Sequence, residues 1–172
     1  HDAVKNSILG LSLGILLMAV CAAILLVSDW NRRVVAPDAM PVVSIFQFAS
    51  RDVLDAGVDG CVDALSERGF QDGRTIRIKR FNAEADFTAG NSIAKAILEG
   101  DGKMVVTFST PALQIMAGAN KDGRLIHLFG IVTDPFVSGV GLSRSNPEKR
   151  PDHLAGIGTF QPVKEVWRLA AR

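Results

Sequence analysis

Hydrophobic and polar positions alternate along this chain with three different periods, and each period marks a different kind of segment. From Asn6 to Ser28 there is no charged side chain, and residues 8–27 are almost wholly Leu, Ile, Ala, Val, Gly and Met. At about 1.5 Å per residue such a run crosses a hydrocarbon core of roughly 30 Å, so the pattern predicts a transmembrane helix over residues 7–28. Trp30 follows at interfacial depth, with Arg32 and Arg33 beyond it. Residues 34–41 hold two prolines and an aspartate and read as a semi-extended linker.

Beyond the linker, short apolar runs alternate with segments of helical period. Residues 42–48 form an apolar strand, and residues 52–68 place Leu54, Val58, Cys61, Val62 and Leu65 on one helical face. Residues 75–81 alternate Ile76 and Ile78 with Arg77 and Lys79, as a half-exposed strand does. Ala89, Ile93, Ala96 and Ile97 mark a second helix, closed by Gly100 and Gly102. Residues 104–108 are a buried strand, and Ala112, Ile115, Met116 and Ala119 mark a third helix. Residues 125–132 and 154–158 complete five strands. Strands alternating with helices imply an α/β fold with a parallel, doubly wound sheet joined by right-handed crossovers.

Composition narrows the function. A chain of 172 residues with 48% hydrophobic side chains holds one domain of ordinary size, and a net charge of +1 leaves no electrostatic footprint for nucleic acid. The first residue is His1 and residues 163–172 read as an unfinished helix, so a longer parent chain is expected. An uncleaved anchor is expected too, because no small-x-small cleavage site follows the apolar run and Val20 is too large before Cys21 for a lipoprotein site. Lys5 on one side against Arg32 and Arg33 on the other would put the globular part in the cytoplasm, a count that upstream residues can reverse. Cys21 in the span and Cys61 on a helix form no pair, and His1, His127 and His153 lack metal-ligand spacing, so neither disulfide nor metal site is expected.

In doubly wound sheets ligands bind beyond the carboxyl ends of the strands, where strand order reverses. The segments there are 47–52, 82–86, 109–111 and 133–136. Ser109, Thr110 and Pro111 supply two hydroxyls, a helix cap and a proline at the first helical position, which together make an anion site at a positive dipole end. Glu84 and Asp86 read as capping or solvated residues. A dinucleotide-binding turn, a Walker loop and a nucleophile elbow are all missing. Asp134 is the one strand-end carboxylate with catalytic potential, but Pro135 follows it directly, so catalysis and a cofactor are not expected.

The successive motifs FQFAS, GFQDGRTIRIKRFNAE, VVTFSTPALQ and FGIVTDPFVSGVG resemble the extracytoplasmic substrate-binding proteins of ABC transporters, in the group with tryptophan- and tyrosine-binding members. The resemblance spans residues 41–172 and implies the first lobe of a type I periplasmic-binding-protein fold, with a crossover near 158–162 into a second lobe that this chain lacks. It implies that Ser109 and Thr110 hold a ligand carboxylate, that Asp134 meets its ammonium, and that Phe48 and Ser50 line a side-chain pocket. The expectation is a membrane-anchored, non-catalytic protein with its globular part outside the cytoplasm, binding an amino-acid-like ligand and delivering it to an ABC permease. The organisation is then an N-terminal flank (1–6), the anchor (7–28), a linker (29–40) and the lobe (41–172). Two other readings stay open: a ligand-sensing module of a signalling protein, and a flavodoxin-like enzyme or cofactor carrier.

Overall fold

The computed structural model describes residues 15–23, 40–160 and 168–170. The chain divides into two units, residues 1–35 and 36–172. In the first, residues 15–23 are helical with exposed side chains. The remainder of the expected transmembrane segment, 7–14 and 24–28, lies outside the described residues, as does most of the linker. Among the described residues no helix is long and apolar enough to cross a membrane.

In the second unit the order is β1 (Val42–Gln47), α1 (Asp52–Glu67), β2 (Arg77–Asn82), α2 (Phe87–Glu99), β3 (Met104–Phe108), α3 (Thr110–Ala119), β4 (Ile126–Val132) and β5 (Leu154–Gly158). The strands form one sheet in the order β2-β1-β3-β4-β5, and each neighbouring pair is parallel. Hydropathy explains the positions. All six residues of β1 are buried, and so are the last four of β3, as strands covered on both faces require. The charged, half-exposed β2 takes one edge, and β5 takes the other.

Two apolar layers hold the sheet. On one face Val43, Ile45, Leu54, Val58, Ile76, Val106 and Phe108 pack under α1. On the other, Phe46, Ala94, Ile97, Val105, Ala112, Ile115 and Met116 pack under α2 and α3. Fully burying a Leu, Ile or Phe is worth about 1.5–3 kcal/mol, so these layers supply the main stabilising contribution. Cys61 lies half-buried on α1 against the first layer, where burial pushes its thiol pKa up, in keeping with a packing residue.

Chain direction reverses at β1: the crossover through α1 leads outward to β2, and the next returns through α2 to β3 on β1's other side. The β1–β3 crevice at the carboxyl edge is therefore the topological switch point, in the same strand order as flavodoxin. A further tie joins β3 to β4. His127, fully buried on β4, sits 2.9 Å from the Thr107 hydroxyl through Nε2, while its Nδ1 has no hydrogen-bond partner among the described residues. An Nε2–H donor is the cheaper tautomer, because it leaves a bare lone pair orphaned rather than an N–H. Burial, and secondarily the charge of His153, hold the His127 pKa down at about 4.

Candidate functional site

Backbone strain in the second unit collects at the carboxyl edge. Among the described residues, the non-glycine positions with positive φ are Glu84, Ala85, Ser109 and Ile131, and each lies at or just beyond the end of a strand. Ser109 is the extreme case. Its φ of 97° and ψ of 156° fall in a region that essentially only glycine occupies, at a cost of about 1–3 kcal/mol. Strain of this kind persists only where the surroundings impose it, and it concentrates at ligand clamps and active sites. Here β4 and α3 impose it, since the Ser109 N–H donates to the Gly130 carbonyl at 3.3 Å and the Ser109 carbonyl accepts from Leu113 at 3.1 Å.

The distorted serine is also the helix cap. Its hydroxyl accepts from the Ala112 N–H at 3.4 Å, so Pro111 stands at the second helical position rather than the first. The anion site is thinner than its sequence implied, because Pro111 has no N–H and the Ala112 N–H is already engaged. The Thr110 side chain sits at the first helical position, next to that positive end.

On the other wall of the crevice, Phe48 and Ser50 turn different ways. Phe48 is half-buried, packs against the layer beneath α2 and α3, and meets the Phe87 ring at 4.7 Å between centroids. Ser50 instead donates to Asp55 on α1, at 3.1 and 2.9 Å from its two carboxylate oxygens. Gln47 Nε2 donates to the same carboxylate at 2.7 Å. The hydroxyl of Ser50 is thus spent on holding the loop after β1, and the two residues do not form one wall.

Asp134, just beyond β4, is committed at both oxygens. Oδ1 accepts from the Phe136 N–H at 3.0 Å, closing a turn over Pro135, and Oδ2 accepts from Arg144 at 2.9 Å. The Arg144 guanidinium lies 5.0 Å from the centre of the Phe136 ring and 5.1 Å from that of Phe160, two rings only 13° from parallel. Sequence reading placed Phe136 in the strand-end segment 133–136 without giving it a role, and it missed Arg144 and Phe160, which stand in loops without periodicity. The one available signal was an arginine between aromatics, downstream of a strand-end aspartate. A cavity of about 460 Å³ opens beside these rings along β5, lined also by Phe129, Leu142, Leu154 and Ile157, away from the switch point. Asp86 caps α2, accepting from the Thr88 and Ala89 N–H groups.

The edge therefore presents, strand by strand, Phe48 and Ser50 after β1, Ser109 and Thr110 after β3, and Asp134 after β4. Among the described residues no cluster of His, Cys, Asp and Glu is arranged to hold a metal.

Comparison with known proteins bears on this edge. The family described as ABC transporter substrate binding protein matches residues 42–164. The tyrosine-binding protein of Clostridioides difficile (strain R20291) is 31% identical over 128 residues, which make up 72% of this chain and 36% of that protein. Among solved structures, a ligand-free, open substrate-binding protein with adhesive properties from Clostridium difficile superposes with a TM-score of 0.67 at 29% identity, over 77% of this chain and 43% of that one. An ABC domain from Streptococcus pneumonia in complex with L-Trp gives a TM-score of 0.62 at 26% identity, over 72% and 39%. A conserved domain protein from Vibrio cholerae, at 23% identity and a TM-score of 0.69, shows the same fold. The chain spans less than half the length of these relatives. With a parallel five-stranded sheet of their architecture and a family match across nearly all of its second unit, this chain belongs to the ABC transporter substrate-binding proteins.

Proposed function

We propose that this chain is the anchored first lobe of a solute-binding component of an ABC uptake system, and that it takes an amino-acid-like ligand at the β1–β3 crevice. The ligand carboxylate approaches the α3 N-terminus at Ser109 and Thr110, and its ammonium reaches Asp134. Phe48 lines the crevice at its β1 side, and Ser50 contributes by holding the loop. Closure against a second lobe about a hinge completes the site, and a permease receives the ligand. A bound tryptophan in one relative and the tyrosine-binding designation of another support an aromatic amino acid as the ligand class.

One observation carries this reading: Ser109 is held in a glycine-only backbone conformation at the switch point. A residue that merely capped a helix would sit in the ordinary extended region at no cost. Calorimetric titration of the full-length protein with the standard L-amino acids tests it. Saturable binding of L-tyrosine or L-tryptophan is expected, and no heat from any of them would remove the reading. For the anchor, carbonate-washed membranes should retain the full-length protein, and its release into the wash would discard residues 7–28 as a span.

A further inference from the structure

Asp134, Phe136 and Phe160 have the composition of a cation box, with two near-parallel aromatic faces and a carboxylate. Aromatic faces attract a cation within about 6 Å of the ring centre, and a carboxylate adds a charge-assisted hydrogen bond. Arg144 meets both conditions at once. Yet its side chain is 65% exposed, its partner Asp134 only 27%, so the guanidinium enters from solvent and covers a carboxylate that is mostly sheltered. Arg144 stands ten positions after Asp134 in the long loop between β4 and β5, on no regular element.

We propose that Arg144 is an internal occupant of this box, standing where the cationic end of a ligand binds and setting the affinity that a ligand must exceed. The inference rests on the reading of Asp134 as the ammonium site. Exchange is chemically balanced: the ligand ammonium takes up the Asp134 Oδ2 contact and the aromatic faces, while Arg144 swings into water with its charge solvated. The turn at Phe136 N–H keeps Oδ1, so the carboxylate stays aimed throughout. Specificity follows from size, because a compact alkylammonium fits between the rings and the carboxylate, and an uncharged analogue has nothing with which to displace the guanidinium.

The test uses the full-length protein, its Arg144→Ala and Arg144→Lys variants, and two kinds of probe. Methylguanidinium chloride titrated to about 100 mM should shift the ring resonances of Phe136 and Phe160 in Arg144→Ala and leave those of the wild type unmoved, with sodium chloride at matched concentration as the control. An exposed ion pair and a cation–π contact are each modest, so removing this occupant should tighten L-tyrosine or L-tryptophan binding by about tenfold, with Arg144→Lys in between. No methylguanidinium effect on Arg144→Ala would overturn the box itself. Amino-acid binding that is unchanged or weaker in Arg144→Ala would overturn the displacement, and weakening would make Arg144 a ligand contact. A methylguanidinium response in Arg144→Ala, with no amino acid binding to either protein, would uphold the box and defeat only the amino-acid reading.

Discussion

The two ends of the carboxyl edge are prepared in contrasting ways. In the β1–β3 crevice the preparation is in the backbone: Ser109 is twisted into a conformation that side chains avoid, and its hydroxyl makes only a long 3.4 Å bond. At the β4–β5 corner the positive-φ non-glycine residue among those described is Ile131, and the side chains are already satisfied, with Asp134 held by a turn N–H and by an arginine about 5 Å from two ring centres. A hydroxyl with one long bond can gain a partner, whereas satisfied groups must exchange one. A ligand touching both would add a partner at its carboxylate and face competition at its ammonium.

The comparison depends on β3 and β4 staying paired, and the Thr107–His127 contact tests that dependence with the largest effect. His127 has a folded pKa of about 4 against an ordinary 6.5, so the unfolded chain takes up the proton first as pH falls. Stability is full above about pH 6.5 and is lost progressively down to about pH 4, by roughly 3 kcal/mol in all. Urea unfolding across that window should show the slope, and His127→Gln should flatten it. An unchanged slope in the variant would assign acid sensitivity elsewhere.

Next in size is Asp134→Asn in the full-length protein. Asparagine keeps an oxygen for the Phe136 N–H but loses the charge, and a charge-assisted hydrogen bond is worth roughly 1.5–3 kcal/mol, or about 10- to 150-fold in affinity. Stability without ligand should shift by less than about 1 kcal/mol, the scale of an exposed ion pair. A large stability loss with intact affinity would make Asp134 only a turn residue.

The smallest effect has the most telling sign. Ser109→Gly should stabilise the ligand-free protein by about 1 kcal/mol, because glycine removes the backbone strain and costs only a few tenths as a helix cap. The same variant should weaken amino-acid binding by a few-fold, as loss of one neutral hydrogen bond does. Ser109→Ala keeps the strain and loses the cap, so it should destabilise. If glycine and alanine behave alike in thermal melts, the strain is not stored at this residue.

These contrasts explain what was legible in the sequence. The strands and helices between residues 42 and 158 could be read to within two residues because each is a local period, and the Ser109-Thr110-Pro111 turn could be found because capping chemistry is adjacent in the chain. The glycine-like backbone of Ser109 could not, since nothing in its side chain signals φ, and neither could the shift of Pro111 to the second helical position. Arg144 was hidden for another reason: its partners lie eight, ten and sixteen positions away across loops. Ser50 shows the converse, a polar residue rightly placed at the edge whose hydroxyl was taken by Asp55 on the following helix. His127, inside an apolar strand run, was considered only as a metal ligand, and its role is a buried tie between the strands that carry the two ends of the site.

That the crevice and the corner grip the two charged groups of one ligand is tested most directly by trimming the ligand. Full-length protein would be titrated calorimetrically with L-tryptophan, with 3-indolepropionate, which lacks the ammonium, and with tryptamine, which lacks the carboxylate; the corresponding L-tyrosine series serves if that amino acid binds tighter. Each trimmed compound should lose at least about tenfold in affinity, with the propionate's loss largely abolished in Asp134→Asn and the amine's reduced in Ser109→Gly. Equal affinity for all three compounds, or losses that neither substitution alters, would contradict a site built from these two ends.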